Sequence, residues 1–157
     1  MSAIGSTRLA PDVFPVRGTP ERVGSDWVPV LKEVPLFAGM SSRHLRRIQA
    51  RAKRYGPGET IVREGDPGNA FYVILDGKVR VDPPKAASVA LTAGDVFGEM
   101  ALLDGAPRSA DIVAESEVTV MVIGRAAFQK LLRSEPQMVA VLLRTLAARL
   151  RAAQEQY

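Results

Sequence analysis

A carboxylate and a guanidinium lie nine positions apart in the stretch from Phe97 to Ala110, which reads FGEMALLDGAPRSA. Glu99, when ionised, only accepts hydrogen bonds, so it suits the hydroxyl groups of a ligand. Arg108 presents a planar set of donors that matches phosphate oxygens two at a time, and its charge does not titrate away. Together they predict a site for a ligand with both hydroxyls and an anionic group, such as a nucleotide sugar phosphate.

The residues around this pair also favour binding of an anion. Gly98 has no Cβ, so the backbone there approaches a ligand closely or adopts a positive φ without steric cost. The turn over residues 100–103 would aim its free N–H groups at the anion, and Ser109 adds a hydroxyl beside Arg108. The candidate binding residues of this stretch are Gly98, Glu99, Met100, Ala101, Arg108, Ser109 and Ala110.

Short β-prone runs separated by turns occupy the chain from Glu59 to Ile123. The predicted strands are 60–62, 71–75, 78–81, 89–91, 111–114 and 118–123. Many short strands with regular turn chemistry indicate a closed or sandwiched antiparallel β structure. The fold class is therefore predicted as mainly β with flanking α: an antiparallel, jelly-roll-like β-roll with N-terminal helices, a short phosphate-binding helix and two C-terminal helices.

Helices are predicted on both sides of the strands. The pair Ser25–Asp26 predicts the start of a helix that runs to about Glu33. Ser41 or Ser42 predicts a second helix to about Ala52, with core-facing residues at helical spacing. After the strands, residues 126–133 form one predicted helix, and Glu135–Pro136 begins another that could run to Tyr157. Apolar residues in its second half recur at steps of three and four, the spacing of a helix-packing seam, which leaves open either a two-fold partner helix or a lid over the ligand: Leu143, Leu146, Leu150, Ala153 and Tyr157.

The stretch 97–110 resembles the phosphate-binding cassette of the cyclic nucleotide-binding domain family, which includes kinase regulatory subunits, gated channels and catabolite-activator-type bacterial regulators. The resemblance extends to GETIVREGDPG (58–68), FYVILDG (71–77) and LTAGDVF (91–97), and covers roughly residues 27–157. It implies that Glu99 accepts a hydrogen bond from the ribose 2′-hydroxyl and that Arg108 binds the cyclic phosphate. It also implies that backbone groups at Gly98 and Ala101 line the ribose and phosphate.

The resemblance bears on specificity and on the last helix. Ser109 stands where many family members have Ser or Thr, and Thr there often accompanies a preference for cGMP, so serine favours cAMP over cGMP. Asp111 departs from the small or hydroxyl residue that is common at its position, and an acid there would lower phosphate affinity unless it points away. In the family the last helix caps the base or dimerises, so Arg149 is the polar residue expected to reach the purine.

A chain of 157 residues, 46% apolar and 24% charged, is long enough for one domain with a core. We predict a flexible leader at 1–24 and a cyclic nucleotide-binding domain at 25–157. The expected function is that of a soluble, stand-alone, non-catalytic receptor for cAMP or cGMP, with no further cofactor, whose C-terminal helix moves on binding. The expected partners are the cyclic nucleotide and an unidentified effector protein, with a homodimer through the last helix also open.

Several other classes of function are disfavoured by composition. The chain has no cysteine and one histidine, His44, so a metal-dependent enzyme on a similar β-roll lacks its ligands. No apolar run would span a bilayer and no signal peptide begins the chain, which favours the cytoplasm and disfavours a channel. The net charge of +4 and the arginines near Arg47 leave a weak DNA-associated regulator open, although no helix-turn-helix follows the last helix. A ligand-free scaffold of the same family is the other alternative.

Overall fold

The structure of the protein is a computed structural model, which describes residues 21–22 and 27–154. The predicted leader at 1–24 lies outside these residues except for Glu21–Arg22, and so do the predicted helix caps Ser25 and Asp26.

Within the described residues, strands form two antiparallel sheets, which confirms the predicted β-roll. One sheet has the order β1-β2-β9-β4-β7 and the other has the order β3-β8-β5-β6. The strands are β1 (Glu21–Arg22), β2 (Gln49–Tyr55), β3 (Thr60–Val62), β4 (Ala70–Asp76), β5 (Lys78–Asp82), β6 (Val89–Thr92), β7 (Val96–Phe97), β8 (Asp111–Ala114) and β9 (Val118–Gly124).

Helices precede the series of strands from β2 to β9, interrupt it and follow it, as predicted. They are α1 (Val28–Lys32), a 3₁₀ turn at Pro35–Phe37, α2 (Ser42–Leu45), α3 (Glu99–Asp104), α4 (Arg125–Ser134) and α5 (Pro136–Gln154). The N-cap position of α1 is Trp27, which makes no side-chain capping bond. Helix α3 lies between strands β7 and β8, where the phosphate-binding helix was expected.

The prediction that the second helix continues to Ala52 is wrong. The Ser41 hydroxyl accepts from the His44 N–H at 3.1 Å, as a helix start requires, but α2 ends at Leu45. The chain then enters β2, which pairs with β9 from Arg51↔Val122 to Tyr55↔Val118. Residues 118–123 of β9 are all buried, and pairing with that buried strand outweighs the local helical spacing of apolar residues, because strand preference depends on tertiary packing.

Two hydrophobic layers hold the elements together, and β4 contributes to both. Phe71, Val73 and Leu75 face the helices and pack in one cluster with residues of α1, α4 and α5. Ala70 and Ile74 face the second sheet and pack between the sheets. This alternation follows from the period of two along a strand, and it makes β4 a central strand that is buried on both faces.

Helix α5 buries one face and exposes another. Met138 and Leu142 lie in the helical core, whereas Leu143 and Leu150 are 62% and 60% exposed. The first half of α5 therefore packs on the domain. Pairing of the exposed face with a second copy stays a prediction, which sedimentation of the purified protein would test.

None of the helices in ranges 21–22 and 27–154 has the length and apolarity needed to cross a bilayer.

Candidate functional site

Two glycines bound α3, the short helix at the centre of the site. Gly98 occupies the N-cap position with φ +90°, and Gly105 occupies the C-cap position with φ +72°. The Gly105 N–H donates to the Ala101 carbonyl at 3.0 Å. Because glycine adopts left-handed backbone without steric cost, Gly98 and Gly105 fix the residues at which α3 begins and ends.

A cavity of about 380 Å³ lies against α3 and the loop that follows it. This volume falls within the range of small-molecule sites. Six of the predicted residues line it: Gly98, Glu99, Ala101, Arg108, Ser109 and Ala110. Glu99 and Arg108 are 1% and 7% exposed. The structure thus brings the acid and the guanidinium to one hollow.

Backbone carbonyls orient the Arg108 side chain. Its Nη1 donates to the Gly98 carbonyl at 3.2 Å and its Nη2 donates to the Ala70 carbonyl at 2.7 Å. A guanidinium has five N–H donors, and these two contacts engage two of them. The remaining donors belong to a group whose direction is already set, which reduces the ordering cost of binding an anion.

The Tyr72 ring forms a second support for Arg108. The guanidinium carbon lies 5.6 Å from the ring centroid, and the ring stacks on Phe97 with centroids 4.7 Å apart. Burial raises the pKa of Tyr72, with a further increase from Tyr55, while the charge of Arg108 acts to lower it. The ring therefore stays neutral at physiological pH and presents its π face to the cation.

The backbone at Gly68 and at Gly98 lies too close to other atoms of the site for either residue to carry a side chain. A Cβ on Gly68 would lie 2.1 Å from the Ala101 Cβ. A Cβ on Gly98 would lie 2.8 Å from both the Ala70 carbonyl oxygen and the Arg108 Nη1. Both distances are shorter than real Cβ contacts, so these glycines are required for the backbone to meet α3 and Arg108.

Asp111 points away from the cavity. Its Oδ1 accepts from the Glu64 N–H at 2.7 Å, and the residue is exposed and absent from the cavity lining. Glu64 lies in the loop that follows β3, and this loop also bonds the backbone of Arg108. The Gly65 N–H donates to the Arg108 carbonyl and the Arg108 N–H donates to the Asp66 carbonyl, both at 2.8 Å. The acid thus supports the loop that holds Arg108.

Two predicted contacts are left open by the structure. Met100 lies in α3 and Arg149 lies in α5, but their side chains are outside the described part of the structure. No described residue of α5 lines the cavity. Contact between Arg149 and the base therefore stays a prediction.

An apolar wall of the same cavity was missed at the sequence level. Its side chains come from strands of both sheets: Val62, Val81, Val89, Leu91, Val96, Phe97 and Ile112. Val89 is 54% exposed, although it is apolar. The available signal was the spacing of two between Val89 and Leu91, which puts them on one face of a strand; that this face borders a cavity depends on sheet packing.

Among the residues that the structure describes, no three His, Cys, Asp or Glu side chains are grouped as a metal site would need.

Comparisons with a family model and with individual proteins point to the same family. The model of the family described as "Cyclic nucleotide-binding domain" matches residues 52–135. The cAMP-dependent protein kinase regulatory subunit of Colletotrichum orbiculare is 41% identical over 106 residues, which are 65% of this chain and 27% of that protein. The chain thus spans about a quarter of the length of such relatives.

Solved structures with the same fold include the regulatory domain of a protein kinase and a bacterial regulator. The regulatory domain of Toxoplasma gondii PKA, co-crystallised with cAMP, has a TM-score of 0.69 at 26% identity and covers 79% of this chain and 49% of that chain. The catabolite activator protein of Thermus thermophilus has a TM-score of 0.70 at 32% identity and covers 78% of this chain and 61% of that chain.

Proposed function

The chain belongs to the cyclic nucleotide-binding domain family, and we propose that it binds a 3′,5′-cyclic purine nucleotide without transforming it. The observation that carries the proposal is the shared cavity of Glu99 and Arg108, in which a buried acid and an oriented guanidinium face one space of about 380 Å³.

The chemistry of the ligand matches these two side chains. In a 3′,5′-cyclic nucleotide both the 3′ and 5′ oxygens are esterified, so the ribose keeps one hydroxyl, the 2′, as a donor for Glu99. The cyclic phosphate carries one negative charge, which Arg108 balances while the N–H groups at the start of α3 donate to its other oxygens. The base then faces the apolar wall, where a planar ring removes carbon surface from water.

We favour cAMP over cGMP as the ligand. The apolar wall offers few groups to the additional amino and carbonyl functions of guanine, and the uncharged polar side chain among the described lining residues is that of Ser109. An unpaired polar group of the base would be costly against this wall. The kinase relatives that the chain resembles are named for cAMP dependence, or were crystallised with cAMP.

We also propose that binding changes the position of α4 and α5, and that an effector protein responds to the change. Helix α3 borders both the cavity and the helical core, because Ala101 lines the cavity and Leu102 packs in the same cluster as Phe128 and Leu131. A ligand that favours one position of α3 would therefore bias the helices packed against Leu102, which is the differential contact that allostery requires.

Titration with nucleotides tests the proposed ligand. We expect calorimetry to show binding of cAMP, weaker binding of cGMP and little binding of 5′-AMP, whose open phosphate has a second charge and whose ribose has a second hydroxyl. At a cAMP concentration of 100 times Kd, linkage stabilises the fold by about 2.7 kcal/mol, which raises Tm by roughly 5–10 °C. If millimolar cAMP and cGMP both leave Tm unchanged, the chain is a ligand-free scaffold and the proposal is wrong.

Variants of Asp111 separate its two conceivable effects on affinity. Because its carboxylate accepts from Glu64, we expect Asp111→Ala to loosen the loop that bonds Arg108 and to weaken cAMP binding by about threefold to tenfold, the worth of one hydrogen bond. Asp111→Asn keeps an acceptor without the charge, so its affinity should stay within about twofold of the wild type. Tighter binding by both variants would instead mean that the acid repels the phosphate.

A further inference from the structure

Arg125 is the first residue of α4, and its donors contact two segments from elsewhere in the chain. Its Nη2 donates to the Gly68 carbonyl at 2.7 Å and its Nη1 donates to the Leu102 carbonyl at 3.3 Å. Its backbone N–H donates to the Asn69 carbonyl at 3.2 Å. One residue thus connects the start of α4 to the segment at 68–70 and to α3.

Arg108 and Arg125 both donate to backbone carbonyls of the segment at 68–70. Arg125 bonds the carbonyls of Gly68 and Asn69, and Arg108 bonds the next carbonyl, that of Ala70, at 2.7 Å. Since a Cβ on Gly68 would lie 2.1 Å from that of Ala101, the backbone of this segment packs directly against α3. A displacement of Arg108 or of α3 therefore changes the positions of the carbonyls that Arg125 binds.

The contact with Leu102 satisfies a helix end. The carbonyls of the last turn of a helix have no intrahelical donor, and the Ala106 N–H, which could have bonded Leu102, donates to the Asp104 side chain at 2.9 Å instead. The guanidinium supplies the missing donor, and its positive charge suits the negative end of the helix dipole. The C-terminal end of α3 is thereby attached to α4.

We propose that Arg125 is a positioning residue that couples occupancy of the cavity to α4 and α5. The inference rests on the proposed binding of a cyclic nucleotide. When phosphate engages the N-terminus of α3 and the donors of Arg108, any shift of α3 or of segment 68–70 acts on Arg125 at two carbonyls. Arg125 begins α4, and α5 follows α4 after Glu135, whose N–H is bonded to the Leu131 carbonyl at 2.8 Å. The shift therefore reaches α5 through a continuous hydrogen-bonded path.

A residue that only stabilises the fold and a residue that couples the cavity to α5 predict different results. Loss of the first lowers stability equally with and without ligand, whereas loss of the second removes the ligand-induced change in α5. Hydrogen exchange of the α5 amides, measured with and without saturating cAMP, reports that change and does not depend on affinity. The variants are Arg125→Ala and Arg125→Lys, and the control is Arg133→Ala, which removes an exposed arginine from the last turn of the same helix.

We expect cAMP to alter exchange in α5 of the wild type and of Arg133→Ala. In Arg125→Ala the change should fall below about one third of the wild-type value, while cAMP still binds with a Kd raised by about tenfold, as expected for loss of a charged donor to buried carbonyls. Arg125→Lys should give an intermediate change, because one ammonium lacks the fork that spans both carbonyls.

The outcomes are separable from those of the proposed function. If the wild type does not bind cAMP, the proposed function fails and the coupling fails with it. If the wild type binds cAMP but Arg125→Ala keeps the full change in α5, or α5 shows no change in any form, the coupling alone is overturned. Should Arg125→Ala fail to fold, Arg125→Lys decides, and a failure of both to fold would assign Arg125 to folding and overturn the coupling.

Discussion

Replacing Arg108 by alanine is expected to raise the Kd for cAMP by about 100-fold or more, because the variant removes a buried charge that would pair with the phosphate. Losing one partner of a buried, hydrogen-bonded charge pair costs about 2–5 kcal/mol, and each 1.4 kcal/mol is roughly tenfold in affinity. Arg108→Lys keeps the charge but loses the planar fork of donors. Its affinity for cAMP should therefore be higher than that of the alanine variant and well below that of the wild type. Calorimetric titration measures both.

The same variant also affects the fold, since the Gly98 and Ala70 carbonyls lose their donor. We expect the free energy of unfolding of Arg108→Ala to fall by about 1–3 kcal/mol in urea, so affinity must be measured where the variant is folded. Arg80→Ala is a suitable control, because Arg80 pairs with Asp82 on β5 at 2.9 Å and does not line the cavity. Its Kd should stay within about twofold of the wild type. Wild-type affinity in a folded Arg108→Ala protein would show that the phosphate does not bind at this site.

Replacing Gly98 by alanine is expected to raise the Kd for cAMP by about tenfold or more. The new Cβ would lie 2.8 Å from the Arg108 Nη1 and from the Ala70 carbonyl oxygen, so the guanidinium and the backbone that orients it must both shift. The loss of even one oriented charged hydrogen bond corresponds to about that factor. The backbone φ of +90° adds a strain of about 1–2 kcal/mol for any residue with a Cβ.

A second glycine separates the strain from the clash. Gly94 has φ +93°, and a Cβ there meets no atom within 4 Å. Gly94→Ala should therefore lose stability through the same backbone strain but keep the affinity of the wild type. Equal affinities of Gly98→Ala and Gly94→Ala, at comparable losses of Tm, would show that close approach at Gly98 is not needed for binding.

Local patterns in the sequence predicted much of the fold correctly. The runs around β4, β8 and β9 were identified from β-prone residues and the turns between them, because those signals lie within a few positions of each other. The failure came at residues 46–52, where Leu45 and Ile48 are buried as a helical pattern requires but the following residues join β9, about seventy positions away. His44 likewise lies with its Nδ1 3.1 Å from the carboxylate of Glu135, a residue 91 positions away that no local pattern links to it.

The sequence by itself determined the charged half of the site, since Gly98, Glu99 and Arg108 are neighbours along one helix and its loop, and their chemistry can be read from residue type and spacing. Only the tertiary structure decided the rest: the apolar wall, the Ala70 carbonyl that orients Arg108, the direction of Asp111 and the contacts of Arg125. The bonds from Arg108 to Ala70, from Glu64 to Asp111 and from Arg125 to Gly68 join residues that are 38, 47 and 57 positions apart. Such pairs meet because the sheets pair and pack as a whole, and no local pattern encodes that meeting.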